Sequence, residues 1–355
     1  FKQKTAYEIP LRLVGSEMCI RDRLNMAQIS VANIFRHSKA ALLKFGAIDW
    51  IADAVAEAIA KSESVGNRIC GLYYLESYCL QLQSGRVKGD VEPIVSQERG
   101  GIVRVDAQFG FAQPAFQRGL ASACLAAVEN GICSLAIGRA HTCTSLGYFT
   151  EQIAKKNLIG IGFTNASPIV APPGGKSRII GTNPIAFSVP DGNCKTAIHF
   201  DQSTTAVALG KITMAKAAGE KIPVGWALDK NGKPTTDAAA ALQGSLVSSG
   251  GYKGWGFGLM AEVLAVGIAG GLASQFVQPL KATNGEPHNL GQYYILIDPQ
   301  KSNSFENLLN DLKAAVSQDD GTRLPGQNKV EEEFVAVPND LLALLEQLSG
   351  TDWKD

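Results

Sequence analysis

Between Leu158 and Pro190 the sequence LIGIGFTNASPIVAPPGGKSRIIGTNPIAFSVP holds two short apolar runs, Leu158–Thr164 and Ile185–Val189, joined by a segment rich in proline and glycine. Apolar runs of this length bounded by turn residues read as buried strands. The chain therefore needs a sheet with a long irregular connection. Within that connection Pro172, Pro173, Gly174, Gly175, Gly181 and Pro184 bend the backbone and let a ligand approach its amides. Lys176, Arg178, Thr182 and Asn183 add groups of the kind that hold phosphate or carboxylate. The plain alternative is a surface loop with ordinary turn chemistry.

The pattern around this segment changes twice. From about Gln28 to Ser84 apolar residues recur at three- and four-residue spacing, in IDWIADAVAEAIAKSE and again in GLYYLESYCLQLQSG, which predicts helices. After Val91 strands and helices alternate. GGIVRVDAQFG reads as a strand, Pro114 to Asn130 as a helix, Cys133 to Ile137 as a strand and Thr144 to Lys156 as a helix. TAIHFDQ reads as a strand ending near Asp201, followed by a helix entered through Ser203, Thr204 and Thr205, whose side-chain oxygens can cap the helix or whose free amides can bind an anion. QYYILIDP is a further strand, and Phe305 to Ser317 and Asn339 to Leu348 are closing helices. The reading is an α/β centre between helical ends.

Gly254 to Ser274, GWGFGLMAEVLAVGIAGGLAS, has the length of a membrane span. It also carries Glu262 and many glycines and lacks flanking basic asymmetry, so a buried, closely packed helix is expected.

Residues 1–23 are set aside, because FKQKTAYEI and RLVGSEMCIRDR correspond to translated pieces of a DNA-sequencing library adapter. They are read as non-native, with Met26 as the expected start and no signal peptide. The whole chain has 33 basic and 33 acidic residues; without that segment, which holds five basic and three acidic ones, 28 stand against 30. Such a balance gives no electrostatic footprint for nucleic acid or an anionic membrane. Cys70, Cys79, Cys124, Cys133, Cys143 and Cys194 show no CxxC spacing, which fits free thiols in a reducing cytoplasm. His37, His141, His199 and His288 lack zinc-ligand spacing, so no metal site is expected. Of these, His37 is assigned to a solvated helix face and His288 to loop chemistry. His199 lies two residues before Asp201, on the same strand face.

A dinucleotide ligand comes to mind, yet no GxGxxG turn links a first strand to a helix, and no phosphate loop ends in Gly-Lys-Ser/Thr. GWGFGL is only GxGxG. Binding of NAD or NADP would therefore not use a standard Rossmann fingerprint.

GIGFTN, PPGGKSRIIGTNPIAFSVP, FDQSTT followed by GKI, GWALDKNGKPTTD, SGGYKGWGFGLMAEVL and RLPG, in this order, resemble the type-2 malate/L-lactate dehydrogenase family. The resemblance covers roughly Met26 to Leu348. It implies an NAD(P)-dependent oxidoreductase acting on a small 2-hydroxy or 2-oxo acid, and a homodimer. The implied fold is a non-Rossmann nicotinamide-binding α/β domain, residues 96–302, with a helical domain formed from both chain ends, residues 26–95 and 303–355. By position, Thr164, Asn165, Lys176, Thr182 and Asn183 would line the cofactor cleft. Asp201 and Thr204 match the family's Asp-x-x-Thr. Lys253 and Gly254 would meet phosphate or ribose, and Arg323, Pro325 and Gly326 match a C-terminal cofactor loop.

Reduction of a 2-oxo group needs a proton donor at the developing alkoxide and a cation for the carboxylate. The family's Ser-His-Gly, with an Arg three residues on, aligns with GNRICGLYYLE so that Ile69 and Cys70 replace Ser-His and Tyr74 replaces Arg. His141 in GRAHTCTSLGYF is then the expected general acid, supported by Asp201. A His packing at that helix start is the alternative. Cys70 and Tyr74 are candidate substrate contacts, and Arg139, Lys176 or Arg178 could replace the missing Arg. A cyclic-imine reductase and a non-catalytic dinucleotide-binding protein remain as alternative readings.

Overall fold

A computed structural model describes residues 26–301, 304–327 and 329–353. The reading of residues 1–23 lies outside them. The chain enters on strand β1 (Met26–Ser30), where helix was expected, and continues into α1 (Val31–Lys44) and α2 (Asp49–Ser64). Ser30 accepts the Asn33 amide at 3.2 Å and so caps α1. Two tight 3-10 turns, Arg68–Cys70 and Leu72–Tyr74, then precede α3 (Leu75–Gln83), so the expected helix from Gly71 is replaced by turns over its first residues.

Next come β2 (Ile94–Arg99), β3 (Ile102–Asp106), α4 (Ala112–Asn130), β4 (Ile132–Ala140), α5 (Gly147–Ala154), β5 (Ile159–Thr164), β6 (Ile185–Pro190) and β7 (Thr196–Gln202). Helix α6 (Leu209–Ala218) leads to the short strands β8 (Ala227–Leu228) and β9 (Pro234–Thr235), helix α7 (Ala238–Gln243) and strand β10 (Ser245–Leu246). Helix α8 (Tyr252–Glu262), β11 (Leu290–Ile297), α9 (Phe305–Val316), β12 (Phe334–Pro338) and α10 (Asn339–Ser349) complete the described chain.

Seven strands form the central sheet in the order β2-β3-β4-β11-β5-β6-β7. Strands β3 and β4 are parallel, and every other neighbouring pair is antiparallel. The late strand β11 is inserted between β4 and β5, with Tyr294 opposite both Leu135 and Gly162. Gly162 is needed there, because a Cβ would lie 2.9 Å from Thr150 and 3.1 Å from the Tyr294 ring. Beneath the sheet Phe116 meets Phe149 and Tyr294 edge-on, with centroids 5.0 and 5.1 Å away.

The two chain ends meet. Strands β1 and β12 pair antiparallel from Met26 opposite Pro338 to Ser30 opposite Phe334. Helix α10 packs on α1, and Ile34, Leu42 and Ile59 share one apolar core with Val337 and Leu345. His37, expected in solvent, belongs to this junction. It is buried, stacks on Trp353 at 3.8 Å and lies 2.9 Å from the Thr351 hydroxyl.

The Pro/Gly segment after β5 folds against the small sheet β10-β8-β9, where Val170 bridges to Ile180 and Leu246 and packs with Ile212 and Ile222. Helix α6 begins at Leu209 with Ala208 at its cap, not at Ser203–Thr205. Those residues instead turn back on the chain: the Thr204 amide and hydroxyl both donate to the Thr182 carbonyl at 3.0 Å.

The apolar run from Gly254 departs from the buried helix expected of it. Helix α8 ends at Glu262 and passes into a π-helical turn, Val263–Ile268. Gly254, Gly258, Ala261 and Ala265 form the inward stripe, since a Cβ at Gly258 would lie 2.6 Å from Ile180. The outer face, with Phe257, Met260, Val263 and Ile268, is exposed. Among the described residues no helix is long and apolar enough to cross a membrane.

Candidate active site

Along β7 side chains alternate between faces, so His199 and Asp201 point to the same side, as the sequence predicted. The start of α5 is docked against them. The Asp201 carboxylate accepts the Gly147 amide at 2.8 Å and the Ser145 hydroxyl at 3.3 Å. Any side chain at Gly147 would collide, its Cβ falling 2.8 Å from Asp201 and 3.0 Å from the His199 ring. Desolvation by the protein atoms packed around it raises the Asp201 pKa in spite of the bonds from Gly147 and Ser145, although the residue stays open to the cleft and solvent.

His199 Nδ1 lies 2.8 Å from the Ser188 hydroxyl, which donates its one proton to Thr150 at 2.8 Å. The imidazole must then be the donor at Nδ1, and it is neutral: burial, followed by the charge of Lys329, takes its pKa down to about 4.

These two residues face a cleft of about 480 Å³ whose lining includes Lys61, Asn67, Ser145, Tyr148, Arg323, Gly326, Gln327 and Lys329. The C-terminal loop forms one wall, fixed by the His199 amide donating to the Pro325 carbonyl at 2.8 Å. Gly326 sits at φ +84°, and a Cβ there would lie 2.8 Å from His199 Cβ and 2.9 Å from its backbone. Lys61 is neutralised by Glu151 at 2.9 Å and by Glu331, which leaves Arg323 and Lys329 as the cations of the wall. Two cations, hydroxyl and amide donors, and a glycine that keeps the backbone approachable fit the phosphates and ribose of a dinucleotide.

Cys70 is not in the lining of this cleft, but it interacts with two residues that are, Asn67 and Asp201. Burial pushes its thiol up to about 12, helped by the Asp201 charge, while Asn67 and Lys281 act in the opposite sense. Tyr74 is likewise held above the ordinary phenol range by burial. Ile69 is half exposed and faces Gly210 at the start of α6.

His141 lies elsewhere. It is fully buried and does not line the cleft, and its Nε2 is 3.0 Å from the Gln81 side-chain oxygen. It stacks on His288 and is flanked edge-on by Tyr78 and Phe111. Burial, then the neighbouring His288 and Arg86, hold its pKa well below the ordinary value. His288, expected as loop chemistry, is thus a buried ring.

Most of the expected cofactor residues are engaged with backbone. Thr164 donates to the Gly291 carbonyl at 2.8 Å, and Asn165 donates to Leu272 and accepts the Gly291 amide. Thr182 receives Thr204, Asn183 donates to the Gly258 carbonyl and Glu262, and the Gly254 amide donates to Ser249. Arg139 pairs with Asp106, and Arg178 holds the carbonyls of Gly244 and Leu242. Lys176 and Lys253 are exposed. Sequence reasoning passed over Lys61, Ser145, Tyr148, Gln327 and Lys329. Ser145, two residues ahead of a helix start, and Lys329, just beyond RLPG, were the ones a local signal could have found.

Fold and cleft define an α/β enzyme of the dehydrogenase and reductase class. The chain belongs to the malate/L-lactate dehydrogenase family, whose sequence profile matches residues 29–335, and with it is an NAD(P)-dependent oxidoreductase. It is 38% identical over 295 residues to (2R)-3-sulfolactate dehydrogenase (NADP(+)) of Chromohalobacter salexigens, covering 82% of this chain and 87% of that protein. It is 33% identical over 332 residues to the Δ1-pyrroline-2-carboxylate reductase of Ancylobacter novellus, covering 90% and 97%. The crystal structure of Δ1-piperideine-2-carboxylate reductase from Pseudomonas syringae superposes with a TM-score of 0.85 at 30% identity, covering 91% of this chain and 99% of that one.

Proposed function

We propose that the protein interconverts a small 2-oxo acid and its 2-hydroxy acid, with Asp201 as the group that gives and takes the proton. The observation that carries this reading is geometric: the Asp201 carboxylate lines the cleft, open to solvent there, and is fixed by the Gly147 amide at 2.8 Å and the Ser145 hydroxyl at 3.3 Å, with its pKa raised. A carboxyl that holds its proton can pass it to an oxygen becoming an alkoxide, and in the reverse direction its ionised form takes the proton back. NAD(P)H, when bound, supplies the hydride. Arg323 and Lys329 would hold its phosphates, with the Gly326 backbone close by, in place of a Rossmann turn. Ser145 and the Gly147 amide orient Asp201, and His199 keeps the C-terminal loop in register through its amide. His141, expected as the acid, becomes a positioning residue; Thr164, Asn165, Thr182, Asn183, Thr204 and Gly254 lie outside the lining of this cleft and hold the backbone of neighbouring segments, and Lys176 and Lys253 remain available to a phosphate.

A second reading, reduction of a cyclic 2-imino acid, is favoured by one observation. Cys70, a thiol near 12, stands where the family resemblance puts an imidazole. A protonated C=N acceptor needs no acid at its nitrogen, and an ionised Asp201 would serve as its counter-ion. Turnover of pyruvate and sulfopyruvate against pyrroline- and piperideine-2-carboxylate, each with NADH and NADPH, separates the two. Activity on imines alone removes the first reading, and activity on neither class leaves only dinucleotide binding.

The same proposal extends to assembly and place. The paired chain ends form the helical unit, residues 26–95 and 303–355, around the 96–302 domain. The exposed apolar face of α8 is the surface of a homodimer, and the enzyme works in the cytoplasm.

A further inference from the structure

A second cavity, of about 540 Å³, adjoins the cleft. Lys61, Tyr148 and Glu151 belong to both, so the two spaces share a wall. The other sides come from α1, α2 and residues 331–333, which lead into β12. Its volume is that of a small-molecule site.

The charge of this cavity is one-sided. Five glutamates, Glu57, Glu151, Glu331, Glu332 and Glu333, stand against two lysines, Lys61 and Lys155, an excess of three negative charges. The lysines meet only two of the five: Lys61 pairs with Glu151 and Glu331, and Lys155 lies 3.6 Å from Glu151. Glu57, Glu332 and Glu333 enter none of the ion pairs among the described residues. The acidic run is also held in place. The Glu332 amide donates to the Ser64 carbonyl at 2.8 Å and the Val31 amide to the Glu333 carbonyl at 2.9 Å, which ties the run to α2 and α1. Like charges gathered on one fixed wall repel, and a bound cation relieves the repulsion.

An acidic wall alone would be a solvated surface, and Tyr148 makes it more than that. The residue is 8% exposed, and its hydroxyl is buried with no hydrogen-bond partner among the described residues. Gln152, one turn on, donates to the Tyr148 backbone carbonyl at 3.3 Å and leaves the hydroxyl untouched. Burial, then the charges of Glu57 and Glu151, both in the walls of this cavity, hold the phenol above its ordinary range. Native interiors seldom leave such a group unmatched, and one beside an open cavity is positioned for a ligand.

What the walls offer defines the occupant. Carboxylates and the phenol oxygen accept hydrogen bonds, and Val31, Phe35 and Ala60 present apolar surface. An ammonium on an alkyl chain is the matching group, with three donors, no acceptor and a stem that covers apolar atoms. A metal ion does not fit, because among the described residues no three acidic, histidine or cysteine side chains converge on one point. An anion is repelled by the excess charge.

We propose that this cavity binds an aliphatic polyamine, its ammonium groups paired with Glu57, Glu332 and Glu333 and one N–H directed to the Tyr148 oxygen. The site is separate from the reaction and stands whether the cleft reduces a ketone or an imine.

Spermidine is the probe, titrated by calorimetry at physiological salt into the full chain as wild type, as Tyr148→Phe, and as a triple variant carrying Glu57→Gln, Glu332→Gln and Glu333→Gln. The triple variant should bind at least about tenfold more weakly, the scale of lost contacts to charged groups, and Tyr148→Phe roughly threefold or more weakly, the scale of one hydrogen bond. An unfolding midpoint in urea equal to or above that of wild type shows that the triple variant keeps its fold. Equal binding by wild type and the triple variant overturns the proposal, as does a wild-type protein that does not bind spermidine. Loss in the triple variant with Tyr148→Phe unchanged also overturns it, because the amine is then held by surface charge and not seated in the cavity. Magnesium chloride should displace spermidine no better than sodium chloride at matched ionic strength; specific displacement would make this a metal site and sink the amine.

Discussion

The imidazoles of His141 and His288 lie stacked, 4.1 Å between centroids and 4° from parallel, inside the protein. Two protonated rings could not share that contact, and the interior keeps both neutral. Burial and then Arg86 bring His288 down to about 3, and His141 is also held well below its ordinary value.

An acid-sensitive fold follows. Both folded-state values lie below the unfolded one, so the stability these rings contribute is complete above about pH 6.5 and is lost as pH falls toward the folded values. His288 alone should cost on the order of 2 kcal/mol of unfolding free energy between neutral pH and pH 5, and His141 adds to the loss in the same direction. Asp201 and Glu63, whose pKa values are raised mainly by burial, act in the opposite sense. The comparison is therefore between proteins: urea unfolding at pH 7.5 and pH 5.0 should show a flatter acid loss in His288→Gln than in wild type. Identical pH dependence in the two would remove the stacked pair as its source.

His141 supplies the second prediction. Its Nε2 is 3.0 Å from Gln81, whose amide holds the Leu280 carbonyl. His141→Leu leaves the Gln81 oxygen buried without that partner, at a cost of about 1–3 kcal/mol in stability. Any effect on turnover should fall on KM more than kcat, because the imidazole lies outside the cleft and acts only through the loop. A drop in kcat of roughly a hundredfold with KM unchanged would return His141 to the role of general acid.

For Asp201 the expectation is reversed. Asp201→Asn can still accept from Gly147 but cannot exchange a proton, so kcat should fall by roughly a hundredfold or more while NADPH affinity stays within a few-fold. Single-turnover reduction, followed by loss of NADPH absorbance, isolates the step. An unaltered rate would exclude Asp201 from proton transfer.

What could be read in advance depended on how local its cause was. Strands β5, β6, β7 and β11 are apolar runs between turn residues, and they stood out. Strand β1 did not, since MAQIS runs into the helical pattern of α1 and its partner β12 lies some three hundred positions on. Strand β2 is exposed throughout, so it carries no alternation to detect. His37 was misassigned for a similar reason: Trp353, which buries it, is distant in sequence. In the site, Asp201 was found because a motif surrounds it. Lys329 is a bland residue in a turn, and only the fold gives it neighbours. His141 drew attention by being a histidine before a helix, a signal that says nothing about whether the ring meets solvent.

Gly326 gives the last prediction, because it ties backbone geometry to ligand binding. Its φ of +84° is open to glycine and strained for other residues, and a Cβ would press on His199. The neighbouring Pro325 carbonyl holds β7 through the His199 amide, and Arg323 and Lys329 flank the same turn. Gly326→Ala must therefore shift the loop and carry both cations with it. NADPH affinity, measured by fluorescence titration, should fall by at least as much as in Arg323→Ala, where one charge is lost and the turn is kept; tenfold is the rough scale for one such contact. The Arg323→Ala loss should shrink as salt is raised, whereas the Gly326→Ala loss should persist. If Gly326→Ala binds NADPH as wild type does, the C-terminal loop does not hold the cofactor.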